Sequence, residues 1–171
     1  MSARVLVRAA VCILVMSALL LGGCGKKSED KMAEQMMEKT LKEATGKEVD
    51  VNIQGKDIKI EGQDTRAQIS ETNVWPPDMF ADVPQFTAGR IEHVTRSQSE
   101  GNQTFNIFFA DIQGDALKNY AVTLKEKGWQ AQLSDMGKGG MISAQKNKLG
   151  MNFSFNAEDK KGTLAVFSSQ Q

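Results

Sequence analysis

Cysteine is nearly missing from this sequence. The two present are Cys12 and Cys24, so nothing after Cys24 can form a disulfide or a thiolate metal site. Histidine occurs once, at His93, which excludes a histidine-rich metal centre and rests any histidine-dependent triad on one residue. The three prolines are confined to Pro76, Pro77 and Pro84. An excess of charge is also missing: the formal net charge is zero, which leaves no electrostatic footprint for nucleic acid. What remains is ordinary. Hydrophobic residues make up 40% and charged residues 25% of 171 residues, the composition of a globular chain with one domain or two very small ones.

The one long apolar run lies at the N-terminus, in MSARVLVRAAVCILVMSALLLGGC. Arg4 and Arg8 precede residues 9–21, which are apolar except for Ser17. The run is short for a bilayer span, which needs about 20 apolar residues, and a short apolar core after a basic start marks a secretory signal. The segment Leu21-Gly22-Gly23-Cys24 that follows resembles the lipobox of bacterial lipoproteins: an aliphatic residue, two small residues, then the cysteine. The resemblance implies that Cys24 receives a diacylglyceryl group, that cleavage falls between Gly23 and Cys24, and that the new amino group is acylated. It also implies that Gly25, standing where an aspartate would retain the protein at the inner membrane, directs it to the periplasmic face of an outer membrane. In a cell without one, the destination is the outer face of the cell membrane. Cleavage removes Arg4 and Arg8 and leaves 19 basic against 21 acidic side chains, a net of −2.

After a polar tether over residues 24–30, the spacing of Ala33, Met36, Met37, Thr40, Leu41 and Ala44 predicts a helix over residues 30–45. Ser28 or Asp30 is placed to cap it, and Glu38–Lys42 and Lys39–Glu43 are spaced as ion pairs on its outer face. The period then becomes two. Val49, Val51 and Ile53, then Ile58 and Ile60, alternate with polar residues as a hairpin, and residues 67–70 suggest a third strand, so residues 31–71 read as one unit. Residues 72–88 gather the prolines with Trp75, Phe80 and Phe86 into a strap that packs on the next unit. Residues 89–171 follow as two strands, a helix with Asp115 as N-cap and Gly128 just past its end, and four strands. Along residues 149–157, Leu149, Met151, Phe153 and Phe155 alternate with polar residues, so one sheet face is buried and the other solvated. The expected fold is α+β: a helix and hairpin, then an antiparallel sheet with one long helix on its apolar face, in the order β-β-α-β-β-β-β. The pattern Trp-Pro-x-Asp, Asp-Val-Pro-x-Phe and a helix ending Leu-Lys-Glu-Lys-Gly-Trp resembles a group of small uncharacterised bacterial envelope lipoproteins. That resemblance concerns structural punctuation and implies no catalytic residue.

Motifs that carry chemistry are few. His93 sits mid-strand without an identified partner, and no serine stands in a Gly-x-Ser-x-Gly turn. Gly137-Lys138-Gly139-Gly140 lacks the first glycine and the final hydroxyl of a phosphate loop, and residues 158–162 lack the spaced oxygens of a calcium loop. Met32, Met36 and Met37 read as packing rather than a soft-metal site. No cofactor or metal is expected.

The sheet face opposite the helix places Asn106 and Phe108 on one strand and Asn152 and Ser154 on another, as a candidate partner surface. Phe108 breaks the polar pattern there. It is either packed under the strap or the N-terminal hairpin, or an aromatic anchor on a polar sheet. The expected function is a membrane-anchored lipoprotein, not an enzyme, that binds or scaffolds an envelope component. Its partners are membrane lipid through acylated Cys24 and an envelope protein or cell-wall component, with no nucleic acid. The rival is a hydrolase-like envelope enzyme with unassigned acidic catalytic residues; acids clustered beside His93 in a cleft would favour it.

Overall fold

The computed structural model describes residues 28–168 and divides into two compact units, Met1–Thr65 and Arg66–Gln171. The lipobox and Cys24 lie outside the described residues. The class is α+β, dominated by antiparallel sheet.

In the first unit, helix α1 (Ser28–Thr45) precedes an antiparallel hairpin of β1 (Val49–Gln54) and β2 (Asp57–Gly62). Leu41, Val51, Ile58 and Ile60 are buried. The helix presents only half of the face that apolar spacing suggests: Met37, Thr40 and Leu41 turn inward and the other three do not. Glu34, Met37, Glu38 and Thr45 are half-buried beside Leu41, whereas Ala33, Met36 and Ala44 are exposed. The edge of β1 explains the rotation. Glu34 Oε1 accepts the backbone N–H of Ile53 at 2.8 Å, and Glu38 Oε1 accepts that of Val51 at 3.1 Å. Four helical residues rise about 6 Å and two strand residues about 6.6 Å, so carboxylates four apart match edge donors two apart. Closing an open strand edge this way outweighs burying two alanines and a methionine. Two expectations change with it. Glu38 does not pair with Lys42, which instead meets Glu48 at 2.6 Å, and Met32 and Met36 are 64% and 67% exposed, so they fill no core. Asp30 lies inside the first helical turn rather than before it.

The second unit contains β3 (Thr65–Ser70) from its second residue on, β4 (Arg90–Ser99), β5 (Asn102–Ala110), α2 (Ala116–Glu126), β6 (Gln130–Asp135), β7 (Gly139–Lys146), β8 (Leu149–Asn156) and β9 (Lys161–Ser168). Its strands lie in the order β3-β4-β5-β9-β8-β7-β6. From β4 to β6 every neighbouring pair is antiparallel, which makes β5 and β6 point the same way. Helix α2 is the crossover between them, and it packs on β6 and β7.

Phe105, Ile107 and Phe109, Met151 and Phe153, and Leu164 and Val166 alternate inward from β5, β8 and β9. All of them except Phe105 share one core cluster with Leu117, Tyr120, Ala121 and Leu124 of α2, while Phe105 lies against Phe80 of the strap. The strap of residues 75–86 fills the rest of that layer. The Phe86 ring sits edge-on to Phe109, Tyr120 and Phe153 at centroid distances of 5.1, 5.2 and 4.8 Å. Strap carbonyls also take the polar tips of buried aromatics: the Tyr120 hydroxyl donates to the Pro84 oxygen at 2.8 Å, and the Trp129 indole N–H to the Asp82 oxygen at 3.0 Å. Asp78 pairs with Arg96 and Asp82 with Lys146.

Both ends of α2 were signalled in the sequence, and one behaves differently. Asp115 holds the N-cap position in helical geometry and makes no side-chain cap bond. A capping oxygen reaches the first turn only from a residue with extended φ/ψ. At the other end Gly128 has φ +82°, with its N–H on the Lys125 oxygen and the N–H of Trp129 on the Leu124 oxygen. These are the two bonds of a left-handed helix stop. A Cβ on Gly128 would meet nothing within 4 Å, so the cost of Gly128→Ala is backbone strain alone. Denaturant unfolding should record a loss of about 1 kcal/mol.

Candidate functional site

One face of the second unit's sheet carries α2 and the strap. The register fixes what the other face carries, because directly paired residues of antiparallel strands share a face. It consists of His93, Thr95 and Ser97 on β4; Thr104, Asn106 and Phe108 on β5; and Thr163, Ala165 and Phe167 on β9. It continues with Gly150, Asn152 and Ser154 on β8; Met141, Ser143 and Gln145 on β7; and Gln130, Gln132 and Ser134 on β6. No position in these three cross-strand rows bears an acidic or basic side chain other than His93. In a chain that is one quarter charged, these rows are hydroxyls, amides and a few apolar groups, and Lys161 stands in the next row, paired with Asn156.

The four residues singled out from sequence all lie here, in two neighbouring rows. Asn152 and Ser154 are exposed, and Asn106 is half-buried, its Nδ2 donating to Thr95 Oγ1 at 3.1 Å. Phe108 is half-buried, and the strap is not what covers it: Phe80 and Phe86 lie against Phe105 and Phe109, on the opposite face. Its partner is His93, stacked on it with centroids 4.0 Å apart and planes 17° from parallel. Beside this stack is an open depression of about 440 Å³, lined also by Glu92, Ser154, Lys161 and Thr163.

Catalysis would need a nucleophile within reach of the imidazole. Ser154 shares the depression but stands on β8, three strand intervals from β4, or about 14 Å. The single acid lining it, Glu92, lies 3.5 Å from Arg90 and 3.6 Å from Lys161. Among the described residues no group of three or more His, Cys, Asp or Glu could hold a metal ion.

Burial lowers the His93 pKa below its ordinary 6.5, against smaller upward pulls from Glu92 and Glu71, and Lys161 adds to the lowering. The folded state therefore prefers the neutral ring. That contribution is complete above the ordinary imidazole pKa and declines as pH falls through it, because the unfolded chain then binds the proton more readily. The unfolding midpoint should drop more between pH 7 and pH 5 in the native protein than in His93→Gln, in paired thermal melts. Equal drops would mean that the stack places no demand on protonation.

A second open depression, of about 580 Å³, occupies the β6–β9 half of the same face. Phe167 and Gly150 form its floor. They pair directly across β8 and β9, and a Cβ on Gly150 would collide with Cε2 and Cζ of Phe167, so the ring lies over the glycine. Gln130, Gln132, Ser143, Gln145 and Asn152 surround it. Of this cluster the sequence pointed only to Asn152. The signal was present in β9, where Leu164 and Val166 point inward and leave Phe167 off the core face. Searches of family models, of curated proteins and of solved structures found no match to the chain.

Proposed function

We propose that the chain is the precursor of a bacterial envelope lipoprotein, cut before Cys24 and tethered by acyl chains on that cysteine. Its second unit is a non-enzymatic module that holds another envelope component against the charge-poor sheet face. The tether rests on the basic start, apolar core and lipobox of residues 1–24. Among the described residues no helix is long and apolar enough to cross a membrane. Two or three acyl chains give a firm attachment, since each buried methylene is worth about 0.8 kcal/mol. Gly25 favours the periplasmic face of an outer membrane where the cell has one. The binding role rests on a single observation: three cross-strand rows, six strands wide and opposite the helix and strap, bear no fixed charge, and the Glu92–Lys161 pair lies beyond the His93 row at one end. The rival hydrolase reading needs acids gathered at His93, and the one acid lining that depression has two basic neighbours.

The test is photo-crosslinking in intact cells from a reactive residue at Asn152, against the same residue at Lys118 on the exposed side of α2. Crosslinks from Asn152 and none from Lys118 are expected. Equal yields would remove the sheet face as the contact surface.

A further inference from the structure

We infer that the β6–β9 half of the face is a subsite for a neutral glycan, an inference that rests on the binding role proposed above and names its ligand class. The floor of the subsite is an aromatic ring laid over Gly150, which presents a π surface of negative electrostatic character to a sugar's polarised C–H groups. Around it stand Gln130, Gln132, Gln145, Asn152 and Ser143. Each primary amide offers a carbonyl acceptor and an N–H donor on one rigid plane, which matches the donor and acceptor character of neighbouring sugar hydroxyls. None of these five side chains makes a hydrogen bond to another described residue, whereas Asn106 at the other end of the face is already held by Thr95. The amides are therefore free to receive a ligand.

The same chemistry rules against other occupants. A phosphate or carboxylate group calls for Arg or Lys, and the depression is lined by neither. An extended peptide binds by adding to a strand edge, while this depression lies on a sheet face. A purely apolar ligand would leave the ring of amides desolvated and unpaired. From β9 to β6 are three strand intervals, about 14 Å, which suits a short oligosaccharide laid across the strands with one sugar on Phe167.

The experiment is saturation-transfer NMR on the detergent-solubilised, lipidated chain. The probe is N-acetylated chitotetraose, with a sulfated heparin tetrasaccharide as the charged control. Transfer to the neutral oligomer and none to the sulfated one is expected. The double variant Gln132→Ala/Gln145→Ala should weaken binding about tenfold or more, with an unchanged unfolding midpoint because both side chains are exposed. Phe167→Ala should abolish binding. No transfer to the neutral oligomer, equal transfer to the sulfated one, or unweakened binding by the double variant overturns the inference. If the glycan fails while crosslinks from Asn152 persist, the binding role survives without this ligand. If both fail, the role falls with it.

Discussion

Replacing Trp129 with alanine is expected to destabilise the second unit by about 3–5 kcal/mol, the full cost of deleting a large buried aromatic side chain. The indole is 3% exposed. Its N–H satisfies the Asp82 carbonyl, while its backbone N–H closes the helix stop on Leu124. Alanine keeps the second bond and removes the first, so the cost combines a large cavity with a strap carbonyl that loses its donor. The strap should loosen with the core, since Asp82 also carries the ion pair to Lys146. In a urea titration with a matching melt, the midpoint should fall by more than about 10 °C for a unit of this size. A loss under about 1 kcal/mol would mean that the strap is not part of the core.

Replacing Cys24 with serine is expected to abolish lipidation and signal cleavage altogether. Serine has no thiol to receive the diacylglyceryl group, and the lipobox resemblance makes cleavage follow lipidation. The variant should therefore persist as an uncut precursor carrying residues 1–23, without palmitate incorporation. Radiolabelled acyl chains and the mass of the N-terminal peptide measure both consequences. A mature-sized variant in the detergent phase would overturn the lipobox reading. The variant should also retain the cooperative unfolding of the native chain, because the described fold contains no cysteine.

Most of the second unit was legible because its alternation is clean. Met151, Phe153, Leu164 and Val166 announce an inward face, and Gly128-Trp129 announces a helix stop. The face of α1 was only half legible: Met37, Thr40 and Leu41 turn inward as their spacing says. Apolar spacing ranks Ala33 and Met36 above Glu34 and Glu38, and nothing in that spacing says that a bare strand edge needs two carboxylates. Asp115 misled for a related reason: the residue type suits a cap, but backbone geometry decides whether its oxygen arrives. The candidate face was half legible. Asn106, Phe108, Asn152 and Ser154 follow from the period of two, but their alignment into rows depends on β9 returning between β5 and β8. Phe167 over Gly150 and His93 on Phe108 are direct cross-strand pairs of neighbouring strands, β8 with β9 and β4 with β5, so they depend on strand register, which the period of two alone does not give.

If the charge-poor sheet face holds a partner, it must be occupied in the envelope. Because no cysteine follows Cys24, single cysteines at Asn152 and at Val122 on α2 can be labelled selectively in the lipidated protein. Both positions are exposed in the protein alone. The measurement is the ratio of maleimide labelling rates in intact envelopes to those in purified protein. An occupied face predicts labelling slowed severalfold at Asn152→Cys and unchanged at Val122→Cys; equal ratios at the two positions would contradict it.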